Sequence, residues 1–272
     1  MPAAEFHHKI EKFKSHLKDR TFKRKGRSFD LGKMNVKQLW LGYLTYPTIL
    51  LYFSLIIFSV FLMIHFYTNW ISIIGPIALI FFLFPTIWYI IHRWIMHGKW
   101  FYQHKITAKM WKRIHWDHHQ DPHLMEVLFG SPLHTLPSIF GICAPVGALI
   151  GGLPGAFAAV ATGLYLTCFY EFFHCIQHLG YKPKTEWVNY IKKLHVLHHF
   201  HDENGNFGIT NYLWDRLLST YYVSATDRPR SAKVFNLGYS IDEAYRYPWV
   251  MDLTGKPPKD RPDPAHPRPA TR

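Results

Sequence analysis

Cysteine is scarce in this chain, acidic residues are few, and nothing in it reads as a cradle for an organic cofactor. Its three cysteines, Cys143, Cys168 and Cys175, form neither a C-x-x-C pair nor a zinc-finger spacing, so neither a disulfide nor a thiolate metal site is expected. A Rossmann glycine fingerprint and a haem-attachment motif are both missing, which removes sequence support for bound nucleotide, flavin or covalent haem. Asp and Glu number 18 against 31 Lys and Arg, giving a net charge of +13. Charge is absent altogether from Ile71 to Ile91, and Thr48 to Phe66 is almost wholly apolar. At about 1.5 Å per residue each run is long enough for a hydrocarbon core of roughly 30 Å.

A second apolar block runs from about Leu133 to about Phe173 and is broken near its middle by Gly151, Gly152, Pro154 and Gly155, a turn signal. The pattern predicts an all-α integral membrane protein with four transmembrane helices in two hairpins. The hairpin links, Tyr67 to Trp70 and Gly151 to Gly155, carry no Lys or Arg, whereas the N-terminal segment is dense in both. The positive-inside rule then places both termini and the polar segments between the hairpins in the cytosol. A basic balance also suits nucleic acid, but these cations flank apolar runs, so anionic lipid headgroups are the simpler partner and no nucleic acid is expected. No cleavable leader is expected, because the first apolar run begins only near Thr48.

Three regions follow. Residues 1–47 form a basic cytosolic segment, in which Phe6, Ile10, Phe13 and Leu17 have the spacing of an interfacial helix. Residues 48–255 form the membrane domain and its cap. Residues 256–272, rich in Pro and charge, form a disordered tail.

What the chain has in abundance is spaced histidine. Ten fall into four clusters: His92/His97, His115/His118/His119, His174/His178 and His195/His198/His199. On a helix, His-x-x-His-His puts three imidazoles on one face and His-x-x-x-His puts two. So many neutral nitrogen donors suit two transition-metal ions rather than Mg or Ca. The pairs follow the second and fourth spans and the triples lie in the polar segments after them, so a cytosolic helical cap over the bundle would gather all four. His92 and His97 are about 140° apart on an ideal helix; the segment must bend, or the two serve different ions. Glu171, in Glu171-Phe-Phe-His174, is expected to orient an imidazole by accepting its free N–H rather than to bind metal, and Asp117, Asp202 and Asp215 are candidates for the same role.

The series HRWIMH, HWDHH, HCIQH and HVLHH resembles the membrane fatty acid hydroxylase and sterol desaturase superfamily, and most closely its fatty acid 2-hydroxylases; GNFGITNYLWDRLLSTY, from Gly205, resembles the stretch after their last histidine box. The likeness covers about Thr48 to Tyr222. It implies four spans under a cytosolic cap with a dimetal centre, and it carries the ligand role to His92, His97, His115, His118, His119, His174, His178, His195, His198 and His199. His104, His123, His134 and His201 lie outside the pattern, where supporting or surface roles are expected. The implied activity is O2-dependent hydroxylation of a lipid acyl chain, most simply at the carbon next to the carboxyl or amide, with the acyl chain in a groove between spans and cap. Tyr170 is a candidate beside the reaction centre, and Trp116, Phe129, Phe173 and Trp214 are further candidates to line the groove.

Fungal and animal members carry a fused cytochrome b5 domain that this sequence lacks, so a separate electron donor such as cytochrome b5 or ferredoxin is expected. Iron suits O2 activation, while all-imidazole sites also accept zinc, which has no redox chemistry. Desaturation or hydroxylation of a sterol or another lipid is the alternative within the superfamily. Metal transport is the weaker reading, since transport sites place polar ligands at mid-bilayer. The membrane would be the endoplasmic reticulum in a eukaryote or the inner membrane in a bacterium.

Overall fold

The computed structural model describes residues 29–255 and 258; the expected interfacial helix near Phe6 to Leu17 and the tail from Lys256 lie outside the described residues, apart from residue 258. Five helices there reach nine residues or more: α1, Val36–Leu44; α2, Pro47–His65; α3, Ile71–Ile90; α4, Pro132–His178; and α5, Glu186–Phe200. Among the described residues no strand forms, only an isolated bridge between Asp30 and Leu124.

Local chemistry sets the boundaries. Asn35 caps α1 reciprocally: its side chain accepts from Gln38 N at 2.9 Å, and Gln38 Oε1 accepts from Asn35 N at 2.9 Å. Pro47 opens α2, where its missing N–H has no intrahelical partner to lose. The unbroken span of α4 hides a reversal. Gly152, at φ 64° and ψ −148°, takes a conformation closed to residues with a Cβ, and Pro154 restarts the helix in its first turn. The limbs 132–151 and 153–178 then fold back on each other: a Cβ on Gly155 would lie 2.4 Å from Gly147 O, and Cys143 reaches Gly163.

Among the described residues, three helical stretches are long and apolar enough to cross a membrane: Pro47–His65, Ile71–Met96 and Met125–His178, the last containing the reversal. Their outer faces remain apolar, with Leu149 88%, Ile71 79% and Phe82 74% exposed, a surface that lipid rather than water would cover. Between such helices lipid removes the usual hydrophobic drive, so close van der Waals packing must hold them, and small residues at the seam permit it. α1 was not foreseen; it buries Leu39 and Tyr43 against α4, with Tyr43 Oη donating to Cys168 O at 2.5 Å. The three cysteines are buried.

At the opposite end from Gly152, short helices build a second core. Phe101, Tyr102, Trp111, Trp116 and Tyr239 bury together, and Val250 from Pro248–Thr254 closes over them. This body sits where α3, the second limb of α4 and α5 all deliver histidines.

Candidate metal centre

Every histidine cluster is presented by helix: His174/His178 and His195/His198/His199 lie on α-helix, while the first two clusters involve π turns. Ile91–Met96 is wound as a π-helix, with His97 N donating to His92 O at 3.1 Å, an i to i+5 bond. The wider turn brings His97 round to the face of His92, and both join one group, so the bend rather than the division between ions accommodates their spacing. Lys112–Trp116 is a second π turn, placed immediately before His118 and His119.

The ten imidazoles converge on two foci. His92, His97, His115 and His198 form a tetrad; His118, His174, His178, His195 and His199 form a pentad; His119 meets His198 and His199 between them. In the tetrad, Nε2 of His115 lies 3.1 Å from that of His92 and 2.8 Å from that of His97. In the pentad, Nε2 of His195 lies 3.0 Å from that of His174 and 2.9 Å from that of His178. Each His-x-x-His-His box is split. His115 serves the tetrad and His118 the pentad; His198 serves the tetrad, while His195 and His199 serve the pentad.

Backbone carbonyls fix three of the rings. Nδ1–H of His92 donates to Phe207 O at 2.5 Å, that of His198 to Gly205 O at 2.7 Å and that of His119 to Val234 O at 3.3 Å. Each bond commits the proton to Nδ1 and leaves a bare Nε2 lone pair inward. Other nitrogens have no partner: both of His118 and of His199, Nε2 of His119 and of His198. Burying such groups unpaired is costly, and a metal cation would satisfy them. Burial pushes the imidazoles of His97, His115, His118, His119, His195 and His199 well below the ordinary histidine range, with neighbouring imidazoles adding to the effect; His198 falls to about 4. Neutral nitrogen is the ligand form, so the clusters could hold metal ions at neutral pH.

The carboxylates divide by position. Glu171 is buried, its Oε2 3.8 Å from His174 Nδ1. Asp117 is taken by Lys112, whose Nζ donates to its two oxygens at 2.6 and 2.8 Å. Asp202 pairs with Arg228 at 3.2 Å. Asp215 is fully buried and accepts from Phe207 N and Gly208 N, both at 2.8 Å, and from Thr220 Oγ1 at 2.7 Å. It thereby holds the loop whose Phe207 carbonyl fixes His92. Asn206, at φ 54°, ties the same loop to Tyr222 through both its amide and its carbonyl oxygen. Neither Asn206 nor the three carbonyls is legible in the sequence; a backbone acceptor leaves no residue-type signal. His123 donates to His178 O at 3.0 Å and His201 to Arg228 O at 2.7 Å, so both brace the backbone, while His104 is exposed and His134 borders the cavity described next.

A cavity of about 180 Å³ opens beside His92, His115, His118 and His174 and runs between α3 and both limbs of α4. Its wall includes Tyr170, stacked on Trp88 with centroids 4.4 Å apart, and Glu171. The other aromatic candidates pack elsewhere: Phe173 on Trp187 and Phe169, Phe129 on Tyr43 and Tyr46, and Trp116 beside Trp111, while Trp214 donates to Thr86.

Residues 77–220 match the family described as fatty acid hydroxylase. A ceramide very long chain fatty acid hydroxylase of Saccharomyces cerevisiae is 29% identical over 145 residues, covering 52% of this chain and 36% of that protein. A dihydroceramide fatty acyl 2-hydroxylase of Arabidopsis thaliana is 27% identical over 146 residues, 48% of this chain and 54% of that protein. A human fatty acid 2-hydroxylase is 28% identical over 143 residues, 51% of this chain and 37% of that protein. The matched stretch thus spans between about a third and about half of each relative's length. No solved structure matches.

Proposed function

The chain belongs to the fatty acid hydroxylase family, and on that premise we propose that it hydroxylates a fatty acyl chain, free or in a ceramide-like lipid, at the carbon next to the carboxyl or amide. The observation that carries this reading is the convergence of ten histidines, nine buried and His97 half-buried, on the mouth of an apolar cavity. The position on the acyl chain is taken from the relatives, two of which are named as 2-hydroxylases.

The tetrad would hold one ion and the pentad a second, with His119 between them. Iron bound there would supply O2 activation and the power to break an unactivated C–H bond. The chain's own residues do the rest. Ile87, Ile91, Ile114 and Leu128 give the cavity an apolar wall that accepts the acyl chain and excludes water from the reacting carbon. Glu171 and the Phe207, Gly205 and Val234 carbonyls keep the imidazoles in the orientation that points nitrogen lone pairs inward. Tyr170 sits on the cavity wall next to Glu171, where it fixes the approach of the lipid's polar end, and Asp117 steadies the turn before His118 through Lys112.

Inserting one oxygen atom of O2 into a C–H bond and releasing the other as water takes up two electrons and two protons. A separate reductant of the cytochrome b5 or ferredoxin kind would supply the electrons. We place the protein in the membrane on four spans, the limbs of α4 being the third and fourth, with the cap and both termini cytosolic by the distribution of Lys and Arg. The host membrane would be the endoplasmic reticulum or a bacterial inner membrane.

Iron-loaded protein, given a reductant, O2 and a lipid mixture, tests the reading by mass spectrometry. A product heavier by one oxygen at the carbon next to the carbonyl is the expected result. Loss of two hydrogens, or modification of a sterol only, would replace it with the desaturase or sterol reading of the same superfamily.

A further inference from the structure

The cavity beside the histidines has a floor, and we propose that Ile80, Cys143 and Gly163 set the longest apolar chain that it accepts end-on. This rests on the acyl-hydroxylase reading for the identity of the occupant, while the floor itself is a matter of packing.

The three segments that wall the cavity stop at one depth. On α3 the lining ends at Ile80, twelve residues before His92; on the second limb of α4 it ends at Gly163, eleven before His174; on the first limb it ends at Cys143. The limbs touch there, since a Cβ on Gly163 would lie 2.6 Å from Cys143 Sγ and 3.3 Å from Ile139 Cγ2. Beyond that level the small-residue seam leaves no room. A Cβ on Gly147 would lie 2.2 Å from Gly155 O and 2.6 Å from Ala159 Cβ, and one on Gly155 would lie 3.1 Å from Pro76 Cγ. The close packing that joins α3 to the α4 hairpin is therefore also what ends the cavity.

The lower walls are more deeply buried than the upper ones. At the floor Ile80 is 1% exposed and Cys143 is buried, with Ile142 beside it half-buried, while Ile87, Ile91 and Ser138, nearer the histidines, are half-buried or exposed. A chain can thus enter from the side near the cap, but it has no exit at the bottom. The bottom is also apolar in effect: Thr167 spends its hydroxyl on Gly163 O at 2.8 Å, so no free polar group awaits the chain end. A methyl terminus fits that environment.

Eleven to twelve helical residues at about 1.5 Å each put the floor about 16–18 Å from the histidine level. An extended alkyl chain, with C–C bonds of about 1.5 Å in a zigzag, advances about 1.3 Å per carbon, so the depth accommodates roughly twelve to fourteen carbons. Each methylene beyond that must displace packed atoms, and a single methylene in such a pocket changes selectivity about tenfold.

The test uses the full-length protein in detergent, purified with its metal, and Ile80→Phe beside Ile80→Ala. A graded series of saturated fatty acids competes with a fluorescent fatty acid for binding, and the same series is then offered for turnover. The expected result is a cut-off in length near the calculated depth, moved to shorter acids by Ile80→Phe and to longer acids by Ile80→Ala, each by about tenfold in relative affinity at the boundary. Metal content measured on both variants identifies a protein that has merely failed to fold, and Cys143→Ala, which also enlarges the floor, should then reproduce the shift to longer acids. A cut-off that stays in place in metal-replete variants, or a wild type without any cut-off, overturns the proposal. If acids bind with the expected cut-off but none gains oxygen, the floor stands and the hydroxylase reading falls.

Discussion

The tetrad and the pentad are built from the same residue type and held in different ways. Two of the four tetrad rings, His92 and His198, are pinned through Nδ1 by carbonyls of one loop, which Asp215 and Asn206 tie down. In the pentad, His118 and His199 have no partner on either nitrogen and His195 has none on Nδ1; a carboxylate approaches only His174, at 3.8 Å. Half of the tetrad is thus oriented by protein hydrogen bonds alone. The pentad takes its geometry from helix packing, and a bound ion could satisfy its open nitrogens.

The strongest way to break this comparison is to remove a ring that serves both foci. His119 groups with His198 of the tetrad and His199 of the pentad. His119→Ala is expected to abolish turnover and lower metal content at both foci, with membrane insertion unchanged because no apolar span is touched. Metal-to-protein ratio and product yield on one preparation check this. Wild-type yield would show that His119 is not a required ligand.

Acid should separate metal-free from metal-loaded protein almost as sharply. The buried imidazoles are held below their ordinary value of 6.5, His198 at about 4, so the folded state binds fewer protons than the unfolded one between these values. Stability from this source is complete above about pH 6.5 and is lost as pH falls toward 4; for His198 alone it is on the order of 3 kcal/mol. Thermal melts of the metal-free protein should fall steeply over that window. A melting temperature flat from pH 7 to pH 4.5 would mean that the rings are hydrated rather than buried.

Loosening the loop should affect one focus only. Asp215→Asn keeps the size but removes one of the oxygens that accept from Phe207 N and Gly208 N. Orienting groups of this kind typically change metal affinity or activity by about 10- to 100-fold. Competitive metal titration should show that loss at one of two binding steps. Equal loss at both would mean that the loop supports the whole centre and the contrast between foci is false.

Much of this arrangement was legible in the sequence, and the illegible parts share one physical cause. Uncharged runs announce helices that can cross a membrane, and the Gly-Gly-Leu-Pro-Gly run announced the reversal at Gly152, because composition alone limits what such segments can do. The His-x-x-His-His spacing announced a helical presentation, but an ideal helix puts three rings on one face, whereas the structure divides each triple between two foci. That division depends on where α3, α5 and the cap helices converge, which is tertiary. The spacing of His92 and His97 left a bend or separate ions equally open; the structure takes the bend, as a π turn that no residue type signals. Phe207, Gly205 and Val234 act through carbonyls that every residue possesses. Asp117, by contrast, looked like a partner for a neighbouring imidazole because of its place in the box, and Lys112 five residues earlier takes its carboxylate.

The smallest expected effect sharpens the comparison from the pentad's side. Glu171 is buried at the cavity wall with Oε2 unpartnered and 3.8 Å from His174 Nδ1. At that separation it steers the ring electrostatically without the short hydrogen bond that pins His92 or His198. Glu171→Gln preserves shape and removes the charge, so the cost should lie at or below the lower end of the range for orienting groups, about tenfold. His174→Ala, which deletes a nitrogen of the pentad itself, should cost far more. Metal titration and turnover of both variants, beside Asp215→Asn, place the three on one scale. If Glu171→Gln strips metal as completely as His174→Ala, the carboxylate binds the ion directly; the pentad is then a mixed site, and the two foci differ in chemistry as well as in support.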